Sequence, residues 1–195
     1  MSDSKLAPDR LVVGVSGASG IIYAERLLQI LREQKIESHL VMSRAALQTL
    51  KFERDQSPDQ FRALADVVYS NADIGASISS GSFRTMGMIV APCSIKTLSE
   101  IATGVTDNLL SRAADVVLKE RRRLVLLVRE TPLHLGHIRA MAAATEAGAI
   151  IMPPVPAFYT RPQTIEDIVD HTVGRALDLF GIESGIVKRW AESAA

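Results

Sequence analysis

Leu11-Val12-Val13-Gly14-Val15-Ser16-Gly17-Ala18-Ser19-Gly20-Ile21 is the stretch that decides the fold. Leu11 to Val15 is an apolar run of strand length, and behind it Ala24, Leu27, Leu28 and Leu31 recur at helical spacing. The two are joined by a turn of small residues, Gly17-Ala18-Ser19-Gly20. A buried strand that passes through such a turn into a helix leaves backbone N–H groups and the positive helix end facing one point, which suits a phosphate. The glycines do not follow the G-x-G-x-x-G spacing of dinucleotide-binding turns, and no Gly-Lys-Ser/Thr follows as in a Walker loop. Ser19 puts a hydroxyl where those turns carry glycine or lysine.

Outward from this βα unit the pattern repeats. Ser38 to Met42 reads as a strand, with a helix over Ala45 to Phe52; Met88 to Pro92 reads as a buried strand that Pro92-Cys93-Ser94 turns into a Ser/Thr-rich helix. Leu110, Ala113, Ala114, Val117 and Leu118 form an apolar stripe on a helix expected over 107–119, ahead of a strand at Leu124 to Val128. A helix over about 134–147, a strand at Ala149 to Met152 and a last helix opening on the capping-box-like Thr164-Ile165-Glu166-Asp167 complete the pattern. Residues 54–86 are polar and then serine-rich, and read as loops around a short helix. Alternating strands and helices predict a single-domain, three-layer Rossmann/flavodoxin-like α/β fold over 1–195, with a mostly parallel sheet flanked by helices and a flexible N-terminus over 1–10. In such folds ligands sit at the carboxyl ends of the strands, so the loops after residues 15, 42, 91, 128 and 152 are expected to line one site.

Composition narrows the class of function. The 195 residues suffice for one substantial core, and 47% hydrophobic content with 5% aromatics favours aliphatic packing. Twenty-two basic residues balance 22 acidic ones, so no global field draws the chain to nucleic acid or an anionic membrane, and a small-molecule partner is expected. The single cysteine, Cys93, allows no internal disulfide and suits a reducing compartment. A polar N-terminus without a signal-peptide stretch, and no apolar run near the ~20 residues of a membrane span, point to a cytoplasmic protein with no membrane insertion.

Two further loops carry chemistry. Val128-Arg129-Glu130-Thr131-Pro132 places a cation and a carboxylate at the same strand ends as Ser19 and Ser43, where a surface salt bridge is the plain alternative. Pro92-Cys93-Ser94-Ile95-Lys96-Thr97 supplies hydroxyls and backbone donors at a helix start, and its plain alternative is an ordinary cap. His134 and His137 share a helical face, yet no carboxylate completes a zinc pattern, so cap or packing roles are expected and no metal. Cys93 has no local His partner and reads as a buried or site-lining thiol.

Gly17-Ala18-Ser19-Gly20, Ser43-Arg44-Ala45-Ala46, Ser80-Gly81-Ser82, the segment from Ala91 to Ser99, the segment from Arg112 to Arg122, the segment from Leu127 to Leu133 and the segment from Met152 to Tyr159 together resemble the flavin prenyltransferase family of the UbiX type, from about Leu11 to Trp190. The resemblance implies a metal-independent transferase that joins the dimethylallyl group of dimethylallyl phosphate to reduced FMN, at N5 and then C6. The product is prenylated FMN, which serves UbiD-type decarboxylases, commonly in ubiquinone biosynthesis. It also implies a homo-oligomer, usually a dodecamer with sites at subunit contacts.

Position by position, the resemblance assigns flavin binding to Gly17, Ala18, Ser19, Ser43, Ser94, Ile95, Lys96, Thr97 and Arg129. It assigns the prenyl phosphate to Lys119, Tyr159 and Arg175, with Arg112 and Arg129 beside them, in part from neighbouring subunits. Ser19 is expected near the reacting flavin, Glu53 and Glu130 in proton transfer, Lys119 at the leaving group, and Trp190 over the prenyl chain, where its π-face stabilises a developing cation. Lys119 with Arg121, Arg122 and Arg123 also fits a solvated helix end, Glu53 an exposed carboxylate, and Trp190 a packing anchor. Two rival functions share the fold: an FMN-dependent decarboxylase of cysteine-type substrates, and a non-catalytic flavin carrier. The first usually carries Pro-Ala-Ser-Ala-Asn-Thr and a catalytic histidine, whereas here the loop reads Pro92-Cys93-Ser94-Ile95-Lys96-Thr97 and residues 40–133 hold no histidine.

Overall fold

Six strands, all parallel to their neighbours, lie in the order β3-β2-β1-β4-β5-β6 in a computed structural model that describes residues 9–190. They are β1 (Arg10–Val15), β2 (Glu37–Met42), β3 (Val67–Tyr69), β4 (Gly87–Cys93), β5 (Arg123–Val128) and β6 (Ala149–Ile151). Seven helices connect or follow them: α1 (Ile21–Glu33), α2 (Arg44–Glu53), α3 (Pro58–Arg62), α4 (Ile95–Thr103), α5 (Leu109–Lys119), α6 (Leu135–Glu146) and α7 (Ile165–Asp178). The sheet is wholly rather than mostly parallel among the described residues. Its order is the Rossmann one; in the flavodoxin order the third strand would lie beside the first. Of the N-terminal segment expected to be flexible, residues 1–8 lie outside the described residues, while Arg10 opens β1 and pairs with Glu37 at 3.3 Å.

The pleat sorts each strand's residues between two cores. Leu11, Val13 and Val15 of β1, Ile89 and Ala91 of β4, and Val125 and Leu127 of β5 pack beneath α1, α2 and α7. The alternate positions, Val12, Met88, Val90, Leu124 and Leu126, pack beneath α4, α5 and α6. On α1 the expected Ala24, Leu27, Leu28 and Leu31 are all buried; each leucine contributes about 1.5–3 kcal/mol by leaving water.

Two local departures have clear causes. The 54–86 stretch does contain the expected short helix, α3, opened by a Ser57/Gln60 capping box, but it also holds β3, whose three residues alternate too briefly to register as a strand in sequence. The helix expected over 107–119 begins at Leu109, because the Asn108 side chain accepts the Ser111 N–H at 3.1 Å and fixes the start there. Among the described residues no helix is long and apolar enough to cross a membrane.

Candidate active site

The strand order reverses between β1 and β4, and the crevice at their carboxyl ends is where an open parallel sheet binds ligands. Its two walls are the Gly17–Gly20 turn and the start of α4. The turn lies so close to α2 that a Cβ on Gly17 would meet the Ala45 Cβ at 2.3 Å, and Gly20 has φ of 115°, a conformation that favours glycine. Ser43 caps α2 by accepting the Ala46 N–H at 3.1 Å, and Ser94 caps α4 by accepting the Thr97 N–H at 3.4 Å. A cavity of about 460 Å³ lies between these helix starts, lined by Gly17, Ser43, Ser94, Lys96, Thr97 and Asn108 among others. A second cavity, of about 630 Å³, adjoins it over the ends of β2 and β3 and shares Arg44, Asn71, Asp107 and Asn108. The first is large enough for a small-molecule ligand, and its lining offers hydroxyls, helix-start N–H groups and cations suited to a phosphorylated flavin.

The β1 turn presents fewer free N–H groups than its composition suggested, because those of Gly20 and Ile21 are taken within the chain. The Glu53 carboxylate, at the end of α2, accepts the Gly20 N–H at 3.0–3.1 Å and the Ile21 N–H at 2.9 Å, so a side chain of this same chain already fills the positive end of α1. The helix starts that border the cavity are those of α2, α4 and α5.

Around Gly20 a second group of expected residues gathers. Ser19 is exposed at the tip of the turn; Ala18 is buried. Burial pushes the Tyr23 hydroxyl above its ordinary value, and the Arg129 guanidinium pulls part of that back, which places Arg129 within electrostatic reach of Tyr23. The Arg129 N–H donates to the Cys93 carbonyl at 3.0 Å, and the exposed Glu130 accepts the Thr131 N–H at 3.0 Å. The segments after β5 and β6, expected to share the site, do not line either cavity at the crevice. Lys96 is paired with Glu100 one helical turn on, which raises its pKa, and Ile95 packs its side chain toward the α4–α5 core. Cys93 is fully buried, its thiol pushed up by desolvation. His134 and His137 build the cap of α6, the His134 ring accepting the Gly136 N–H at 3.0 Å. Among the described residues no group of three or more His, Cys, Asp or Glu side chains is placed to hold a metal.

The residues expected at the prenyl phosphate fall elsewhere. Tyr159, Arg175 and Trp190 do converge: the Tyr159 ring meets Trp190 edge-on at 5.1 Å, its hydroxyl lies 3.1 Å from His171 Nε2, and Arg175 follows one turn along α7, paired with Asp178 at 2.8 Å. Lys119 lies at the end of α5 before β5 begins, paired with Glu120 beside Gly81. That is the amino-terminal edge of the sheet; the six residues of β5, at ~3.3 Å each, span roughly 17–20 Å between Lys119 and Glu130. Arg112 is engaged with Asp115 at 2.7 Å on α5. One chain therefore holds two separate halves of the expected residue set, with Lys119 apart from both. Sequence reasoning missed Arg44, a cation in the first turn of α2 that opposes the helix dipole and has no ion-pair partner among the described residues, a mismatch visible in the sequence once Ser43 is taken as the cap.

A family model described as Flavoprotein matches residues 2–177. The chain is 62% identical over 184 residues to flavin prenyltransferase UbiX of Escherichia coli (strain K12), covering 93% of this chain and 97% of that one. The chain belongs to the UbiX-type flavin prenyltransferases. Among solved structures, that of AnUbiX (PadA1) in complex with FMN and dimethylallyl pyrophosphate superposes with a TM-score of 0.92 at 53% identity, over 94% of this chain and 97% of its own. A dodecameric FMN-dependent Ubix-like decarboxylase from Escherichia coli O157:H7 superposes with a TM-score of 0.90 at 51% identity, over 93% and 98%. This UbiX-type chain is accordingly an enzyme, a prenyltransferase of flavin.

Proposed function

We propose that the enzyme joins the dimethylallyl group of dimethylallyl phosphate to N5 and C6 of reduced FMN, bound at the crevice between β1 and β4. The observation that carries this placement is the 460 Å³ cavity between two serine-capped helix starts at the strand-order reversal. Gly17, Ala18, Ser43, Ser94, Ile95, Lys96 and Thr97 hold the flavin from the cavity side, and Arg129 from the Tyr23 side. As the prenyl C–O bond breaks, its electron pair leaves with the phosphate, and fixed cationic and hydroxyl donors stabilise that charge: Lys119, Tyr159, Arg175, Arg112 and Arg129. The two halves meet at contacts between copies of the chain, so that Lys119 of one subunit faces the crevice of another. Forming the N5 bond releases the N5 proton; closing the ring then takes a proton onto the prenyl double bond, and C6 joins the resulting tertiary cation and gives up its own proton. Glu53, held beside the Ser19 turn by the Gly20 and Ile21 N–H groups, and the exposed Glu130, which follows Arg129, are the carboxylates for those transfers. Trp190 closes over the prenyl chain and offers its π-face to the allylic cation.

The single flavoprotein domain over 1–195 works in the cytoplasm as a homo-oligomer, a dodecamer in this reading, and hands prenylated FMN to a UbiD-type decarboxylase of ubiquinone biosynthesis. Anaerobic incubation of the pure protein with reduced FMN and dimethylallyl phosphate, followed by mass spectrometry of the flavin, tests the reaction. A five-carbon adduct is expected, and unmodified flavin after prolonged incubation overturns the reading.

A further inference from the structure

We propose that Ser16 is a positioning residue that sets the spacing between the two walls of the crevice, and through it the affinity for flavin; this rests on the placement of the flavin at that crevice. The β1–β4 ladder pairs only as far as Gly14 opposite Val90, and on the other side of β4 its register with β5 shifts between Val90 and Cys93. Past that point the strand ends are held by Ser16, which is 1% exposed. Its N–H donates to the Pro92 carbonyl at 3.2 Å, its hydroxyl donates to the same oxygen at 2.9 Å, and the Ser94 N–H donates to the Ser16 Oγ at 2.7 Å. The hydroxyl thus gives one bond and takes one, which few side chains this short can do. On one side it is followed directly by Gly17, on the other it fixes Ser94, the cap of α4, whose own hydroxyl lies 3.3 Å from Thr97 Oγ1. Gly17, Ser94 and Thr97 all line the 460 Å³ cavity, and Ser16 is the residue that bonds both of its walls. Without the hydroxyl, the half-buried Ser94 N–H loses its partner, and the start of α4 shifts to find another.

Fluorescence titration with FMN tests this on four full-length proteins: the parent, Ser16→Ala, Ser16→Thr and Ser38→Ala. Ser38 is a matched control, also 1% exposed, with its hydroxyl bonded to Asp66 at the far end of β2. The loss of one buried hydrogen bond that shapes the site predicts about tenfold weaker FMN binding in Ser16→Ala, recovery to within about threefold in Ser16→Thr, and parent-like binding in Ser38→Ala despite a lowered melting temperature. Should Ser16→Ala not fold, Ser16→Cys, a weaker donor and acceptor, carries the same expectation at roughly threefold. Parent-like affinity in Ser16→Ala (or in Ser16→Cys where it stands in), or an equal loss in Ser38→Ala, overturns the proposal. Failure of the parent itself to bind FMN would instead overturn the flavin site on which the proposal rests.

Discussion

Glu53 belongs to α2 yet completes the amino terminus of α1, taking up three N–H contacts from Gly20 and Ile21. Glu53→Gln keeps an acceptor but removes the charge that complements the helix dipole, and should lower stability by about 1–2 kcal/mol, or about 2–8 °C in melting temperature. Thermal unfolding followed by circular dichroism measures this, and an unchanged melting temperature would show that the carboxylate does not anchor the turn. Residues such as Ser43, Ser94 and Thr164 were legible as caps because the cap and the N–H it accepts lie three positions apart in the sequence. Glu53 and Ser16 were not, since their partners lie 32 and 76 residues away and only the folded sheet brings them together.

At the scale of elements, the close approach of the β1 turn to α2 admits no side chain at Gly17. Gly17→Ala puts a Cβ 2.3 Å from that of Ala45, with the Ala45 backbone at 3.2–3.3 Å behind it, so the turn or α2 must move. A cost of about 1–3 kcal/mol and a measurable loss of FMN affinity are expected from denaturant unfolding and flavin titration, and parent-like values in both would refute the packing. The edge formed by β2 and β3 carries a different dependence. His39, 2% exposed, lies between Glu37 Oε1 at 2.7 Å and the Tyr69 hydroxyl at 2.9 Å, with Arg10 and Asp66 also within electrostatic reach. Burial, partly opposed by the hydrogen bond that the His39 ring donates to Glu37, holds its pKa below the ordinary histidine value. The unfolded chain therefore takes up the proton first, so this contribution is complete above about pH 6.5 and is lost as pH falls toward the lowered folded value. The parent should lose stability between pH 7.5 and 5.5, and His39→Gln less; equal losses in urea titrations of the two would remove His39 as the cause. The long apolar strands and striped helices around this edge were readable from periodicity. β3 was not, because a three-residue strand flanked by polar loops owes its pairing to Leu40 and its neighbours in β2 rather than to its own pattern.

For the whole molecule, the separation of Lys119 from Glu130 by the length of β5 means that, in the proposed site, the two residues come from different copies of the chain. Glu130→Gln and Lys119→Ala should each slow prenyl transfer on its own while FMN stays bound. Co-expressed in equal amounts, the two variants should recover about a quarter of the parent rate, because random mixing at a two-subunit site leaves that share with both residues intact. A mixture no faster than the average of the separate variants would place the whole reaction within one chain. The strand order and layer arrangement were legible in the sequence up to the choice between Rossmann and flavodoxin orders, which depends on which strand lies beside β1 and therefore on contacts no local pattern encodes. The sheet also constrains how copies can meet. Its two outer strands, β3 and β6, are three residues each, so neither margin offers a run of unpaired amides long enough for a partner's strand to add on. Side chains of helices and loops are thus left as the surfaces through which copies of this chain can join without lengthening the sheet.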